Sequence, residues 1–225
     1  IREGQGRVSL TSPQGLGIYR GNSLWKKSAA NVPVTVTLLG TDLALNGTAG
    51  KGNLRVRSLG KDGVIKITDG YTYRGDLELM KSPGRWGITV VNVLPVEQYL
   101  YGVVGKEMSS WSEEALKAKA VAARTYAIAH KKRFSQRGFD LTDDTSSQVY
   151  AGVGGESPAV IKAVNATKGE ILTYQGKPID AFFFSTAGGW TENSENVWGT
   201  YIPYLRGVSD TSNKMPGYRW SVTTT

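Results

Sequence analysis

The run ALKAKAVAARTYAIA, from Ala115 to Ala129, constrains this chain more than any other stretch. Alanine is the strongest helix former and the run holds no Gly or Pro, so it reads as one long helix. So many small side chains let other backbone come close, which suits a buried helix. Ser110 and Glu113 have capping-box spacing at its start, and Ser112 is an alternative cap. Upstream, Leu94-Pro95 reads as a second helix start, because proline at the first helical position gives up a donor that has no partner there. Val96, Leu100, Val103 and Val104 then share one helical face. Gly105 reads as the stop of this helix, which leaves Glu107 in a break between the two helices.

Residues 1–93 have a different period. Arg7–Leu10, Val34–Leu38, Leu54–Arg57 and Val64–Ile67 alternate or are β-branched, the signature of half-buried strands. Gly60-Lys61-Asp62-Gly63 reads as a hairpin turn between the last two. Tyr73–Met80 and Trp86–Val93 read as a further pair around Ser82-Pro83-Gly84, and Gly47–Gly52 as a flexible loop. Beyond the long helix, Ser157-Pro158 starts a helix that runs to about Thr167 and ends at Gly169. Glu170–Tyr174 and Ile179–Ser185 read as a hairpin around Gln175-Gly176-Lys177-Pro178. From Trp190 on, the chain is loop-like. The class expected is α+β, with a β-rich region over 1–70 and a second domain over 71–225 in which two main helices pack on strands around a cleft.

At 225 residues the chain is long enough for one large domain or two small ones. It has no cysteine, which excludes disulfides and thiolate chemistry. No apolar run reaches the length of about 18 residues that a membrane span requires. The net charge of +8 favours anionic partners. Only Lys131-Lys132-Arg133 is dense in positive charge, so nucleic acid has little support and weak adhesion to another anionic polymer is easier to support. Both ends look trimmed, with the C-terminus truncated.

Few residues suit covalent or metal chemistry. The lone histidine, His130, stands at the end of the long helix, where it suits the helix dipole and serves as a cap. Asp140, Asp143 and Asp144 fit no cation-binding spacing and read as a solvated acidic turn. Lys117 and Arg124 lie seven apart, near one stripe of the long helix. They are either a solvated face, helped by Glu113 at i,i+4 of Lys117, or the lining of a cleft.

The segments YRGDLEL, VVNVLPVEQYLYGVV, Glu107-Met108, EALKAKAVAARTYA, SQVYAG, AVNATKGEILTYQGKPIDAFFFSTAGGWTENSENVWG and PYLRGV occur in this order. The chain between about Tyr73 and Arg206 thereby resembles the stage II sporulation protein D family, which includes amidase-enhancer proteins of bacterial cell walls. The resemblance implies a lytic transglycosylase that cuts peptidoglycan glycan strands and leaves 1,6-anhydro-muramyl ends. It puts the catalytic acid at Glu107. It puts substrate contacts at Lys117, Arg124, Gln148, Tyr150, Ser185, Thr186, Gly188 and Gly189. Glu192 and Glu195 are further carboxylates, and Trp198 and Tyr201 are candidates to stack on sugar.

Some members of that family hold zinc before their Gln-Val-Tyr segment, through two cysteines and a histidine. The matching positions here are Thr142, Ser146 and Ser147, and hydroxyls are poor zinc ligands. The expectation is therefore no metal and no cofactor, with the loop held by Asp, Thr and Ser hydrogen bonds. The alternative function is a wall-binding, non-enzymatic activator of an N-acetylmuramoyl-L-alanine amidase. Either role implies an extracytoplasmic place, in the periplasm or wall, with the signal or anchor segment absent from these residues. Glycan strands and a cell-wall amidase are the expected partners.

Overall fold

The computed structural model describes residues 2–67, 70–108, 110–184 and 187–210. Its N-terminal part is a run of short strands: β1 (Arg2–Gln5), β2 (Arg7–Thr11), β3 (Leu16–Arg20), β4 (Ser23–Ser28), β5 (Val34–Leu39), β6 (Asp42–Leu45), β7 (Thr48–Gly50), β8 (Leu54–Ser58), β9 (Ile65–Ile67), β10 (Thr72–Tyr73), β11 (Asp76–Lys81) and β12 (Ile88–Val93). They form two antiparallel sheets, ordered β1-β12-β11-β8-β3-β4 and β10-β9-β2-β5-β6-β7. Alternation decides the inner faces. Ile18, Val56, Leu77, Leu79 and Val90 of one sheet share a single buried core with Val8, Leu10, Val36 and Ile65 of the other.

This arrangement corrects several local expectations. The turn at Gly60–Gly63 closes, with Gly63 N–H donating to the Gly60 carbonyl at 3.2 Å. It is not a hairpin, however: β8 pairs with β3 and β11, while β9 pairs with β2 and β10 in the other sheet. Alternation shows that a strand has an inner face, but not which strand lies beside it. Gly47–Gly52 is not a free loop. Asn46 (φ 47°) and Gly47 (φ 83°) make a tight turn between β6 and β7, the two-residue chemistry that suits a hairpin. The pairing of β11 with β12 is as expected, with Leu79 opposite Val90. Because β11 sits beside β8, with β12 between β11 and β1, the sheet draws strands from both sides of residue 70.

The helices α1 (Val96–Met108), α2 (Glu113–Ala129), α3 (Pro158–Ala166) and α4 (Ser194–Trp198) follow. Leu100, Val103 and Val104 of α1, Leu116, Ala120 and Ala123 of α2, and Val160, Ala163 and Val164 of α3 extend the same core. Ser112, not Ser110, caps α2 by accepting the Ala115 N–H, and Ser157 caps α3 through Val160 N–H. The expected late hairpin shrinks to β13 (Thr173–Tyr174) and β14 (Lys177–Pro178). Pro178 has no N–H to continue the ladder.

Gly105 does not stop α1; the helix runs through it to Met108. Its role is close approach. A Cβ on Gly105 would lie 1.6 Å from the Gly155 carbonyl oxygen, and one on Gly102 would lie 2.8 Å from the Gly152 oxygen. The 3-10 turn Gly152–Gly155 crosses α1 at these two glycines, backbone against backbone. Glu107 is thus carried on the last turn of a helix rather than in a break.

In an open helix, Gly→Ala gains up to about 1 kcal/mol. Here the added methyl meets a backbone oxygen, and overpacking of this kind costs about 1–3 kcal/mol or more. Gly105→Ala is therefore expected to lower the melting temperature by roughly 5–10 °C, read by circular dichroism. An unchanged or higher melting temperature would mean that the two backbones do not meet.

Candidate functional site

The last turn of α1 presents Glu107 to the middle of α2. Its carboxylate is 14% exposed, and its Oε2 lies 2.6 Å from Lys119 Nζ. The Lys119 side chain is 3% exposed. Lys119 falls in the buried stripe of α2 formed by Leu116, Ala120 and Ala123, at the i, i+3, i+4, i+7 spacing that faces the core. The ring of Phe183 covers the ammonium from the other side. Neither Glu107 Oε2 nor Lys119 Nζ makes a directed hydrogen bond to any described residue. The two charges are therefore buried with little support beyond one another. Burial is the main cause that brings the Lys119 ammonium down from 10.5 to about 8, against the opposing pull of Glu107.

The expected cations lie elsewhere. Lys117 is two residues from Lys119, about 200° round the helix. It pairs with Glu114 at 2.8 Å and Glu113 at 3.3 Å on the outer face. Arg124 is fully buried and does not line a cleft. Its Nε and Nη2 donate to Glu97 at 3.0 and 2.7 Å. Nη1 reaches the Glu170 carbonyl at 3.0 Å, and Nη2 the Val164 carbonyl at 3.2 Å. Neither Lys119 nor Glu97 was singled out from the sequence. A lysine inside an alanine stripe was the signal that could have found the first.

Gln148 and Tyr150 serve the frame around this pair. Gln148 is buried; its amide donates to the Ala123 carbonyl and accepts the Tyr99 hydroxyl at 3.2 Å. Tyr150 donates to Asn92 Oδ1 at 2.7 Å and packs against Tyr99, with ring centroids 5.1 Å apart. Burial raises both phenols well above their ordinary values, and the charge of Glu107 adds to this at Tyr99. Tyr99 and Tyr150 wall a cavity of about 690 Å³ between β12, α1 and residues 138–143. Glu107 does not line it.

Ser185 and Thr186 lie outside the described residues. Gly188 (φ 69°) and Gly189 (φ 102°) follow in left-handed backbone, and a side chain at Gly188 would meet open space. Glu195 is committed to Arg206, and Glu192 accepts from Asn193 and Asn196 at the start of α4. Phe182 and Trp198 pack at a tilt with ring centroids 4.7 Å apart and are both about half exposed, while Tyr201 lies under Arg206. His130 caps α2, stacks on Tyr126 and reaches Asp180 at 3.3 Å.

In the loop before Gln148, Thr142 N–H donates to Ser147 Oγ at 3.2 Å, and Ser146 N–H to Asp144 Oδ1 at 2.9 Å. The latter bond is the main cause that holds the Asp144 carboxyl below its ordinary value. In these two bonds Thr142 and Ser146 take part through their main-chain N–H groups and only Ser147 through its hydroxyl, and hydroxyls at these three positions do not fit a zinc site.

Comparison with known proteins singles out the same stretch. Residues 85–174 match the family model described as stage II sporulation protein. The chain is 41% identical over 146 residues to a stage II sporulation protein D of Bacillus amyloliquefaciens, an alignment covering 57% of this chain and 42% of that protein. It is 45% identical over 125 residues to an amidase enhancer of Bacillus subtilis, covering 55% of this chain and 16% of that protein. An uncharacterized protein of Brachyspira hyodysenteriae is 43% identical over 164 residues, covering 69% and 44%. The matches span less than half the length of each of these relatives. The resemblance to sporulation protein D and amidase-enhancer proteins is thereby shown.

Removing one partner of a buried ion pair costs about 3–5 kcal/mol, because the other charge is left uncompensated. Arg124→Met is expected to lose that much in urea unfolding. Adding Glu97→Gln should recover part of the loss, and strict additivity of the two changes would refute the coupling.

Proposed function

We propose that this chain, whose residues 85–174 match the stage II sporulation protein model, acts on the bacterial cell wall outside the cytoplasm by cutting the glycan strands of peptidoglycan. The observation that carries this reading is Glu107: a carboxylate mostly withdrawn from water, inside the matched segment, held by a helix whose position is fixed. A proton on Glu107 passes to the glycosidic oxygen as the bond to the anomeric carbon breaks. The 6-hydroxyl of the same sugar then attacks that carbon and returns a proton to Glu107. The product is a 1,6-anhydro end. One carboxylate suffices, because the nucleophile belongs to the substrate and no second carboxylate has to activate water as a base. The exposed aromatic rings of Phe182 and Trp198 offer flat apolar faces of the kind that pack on sugar rings. None of the helices is long and apolar enough among the described residues to cross a membrane.

A second reading is activation of a separate N-acetylmuramoyl-L-alanine amidase. One observation favours it: the relative named amidase enhancer. In that case the wall strand is bound and not cut.

The two readings separate on peptide-stripped glycan strands, with anhydro-muramyl ends read by mass spectrometry. The expected outcome is product from the parent chain and a loss of at least about 10²-fold in Glu107→Gln, which keeps the shape and removes the proton. No product from a folded parent would favour the activator, and stimulation of an amidase by both parent and variant would establish it.

A further inference from the structure

Lys119 has no evident structural task. Arg124, on the same helix, donates to Glu97 and to main-chain carbonyls, so most of its guanidinium is satisfied. The Lys119 ammonium has three protons to place and, among the described residues, makes no directed hydrogen bond; Glu107 Oε2 lies 2.6 Å away and a phenyl ring lies over it. A buried stripe position would be filled more cheaply by leucine or methionine. The geometry points to a role tied to the charge of Glu107.

We propose that Lys119 is the proton reservoir of Glu107, and that the two side chains work as one acid holding a single transferable proton. This rests on the reaction proposed above. The resting pair is ammonium and carboxylate; moving one proton across 2.6 Å gives amine and carboxylic acid with no change in net charge. When the glycosidic oxygen approaches, the Lys119 N–H bond breaks and an O–H bond forms on Glu107. That proton then passes to the leaving oxygen. The 6-hydroxyl proton returns to Glu107 and from there to Lys119, so the pair ends as it began. An ordinary lysine would hold its proton too tightly for this exchange. Burial makes the ammonium a stronger acid, with its value near 8, and brings the two protonation states closer together.

The neighbouring charges leave the pair to itself. Glu107 on α1 is the charged group that acts on Lys119. Tyr99, also on α1, feels Glu107 but is held protonated by its burial. From α3, Lys162 is turned to Glu113.

The test has two arms. The first is catalytic: the pH profile of glycan cleavage by the parent, Lys119→Met and Lys119→Arg. The parent is expected to lose activity through about pH 8. Lys119→Met should lose it at least about one unit lower, because Glu107 must then hold the proton alone. Lys119→Arg keeps the positive charge but cannot release a proton, and should be at least about 10²-fold slower across the range. Full rescue by arginine would reduce Lys119 to an electrostatic post and overturn the inference.

The second arm needs no activity. In protein labelled with ¹³Cε,¹⁵Nζ-lysine, the signal missing from Lys119→Arg should titrate near 8, and lower still in Glu107→Gln. Titration near 10.4, the value of an ordinary lysine, would overturn the inference whether or not glycan is cut. A low, Glu107-dependent titration in a parent that cuts nothing would support the coupled pair and count against the reaction instead.

Discussion

The helical half of this protein hangs on one buried guanidinium. Arg124 takes both oxygens of Glu97 from the first turn of α1, the Val164 carbonyl from α3, and the Glu170 carbonyl from the segment beyond. A charge withdrawn from water is tolerable only when its donors are filled, and a planar fork with several N–H groups can fill them in three directions at once. Three elements distant in sequence are thereby joined at one point. Glu97 ties the same segment a second time by accepting the Gly169 N–H at 3.2 Å.

Seen beside that junction, the pair at the other end of α1 stands out by what it lacks. Lys119 is also buried, and Glu107, of opposite charge, is mostly covered, but among the described residues they have almost no other polar company. The same low-dielectric surroundings that make a complete network rigid make an incomplete one sensitive to whatever enters. Within one helix, a basic residue at position 124 acts as a fastener and one at position 119 as a reactive group. The difference lies in the number of acceptors around each.

Period and turn chemistry made much of the fold legible. The β-rich start, the long α2, the α3 start at Ser157-Pro158 and the β11–β12 pair follow from alternation, alanine content and capping residues. Partners across space did not follow. Leu54–Arg57 and Val64–Ile67 each alternate correctly, yet lie in different sheets, because alternation carries no information about the neighbouring strand. Gly105 was read through its low helix propensity, whereas its part is to have no side chain where another backbone passes. Glu107 was singled out chiefly through resemblance to a family. Its companion was not, because a stripe of alanines with one lysine reads first as a tolerated irregularity. The reading of Lys117 as a solvated residue needed only its spacing to Glu113.

The glycine crossing between α1 and the turn at Gly152–Gly155 has a consequence for how a polymer could be accommodated. A contact made of side chains can yield by changing rotamers. A contact of bare main chain cannot, since it has no torsions to spend. The wall that carries Glu107 therefore behaves as an anvil. In the proposed reaction, adjustment to a glycan strand falls instead to Phe182, Phe183 and Phe184, which lie exposed beyond a ladder of only two residue pairs. Wear, in the sense of tolerated sequence change, should collect on that soft side and spare the hard one.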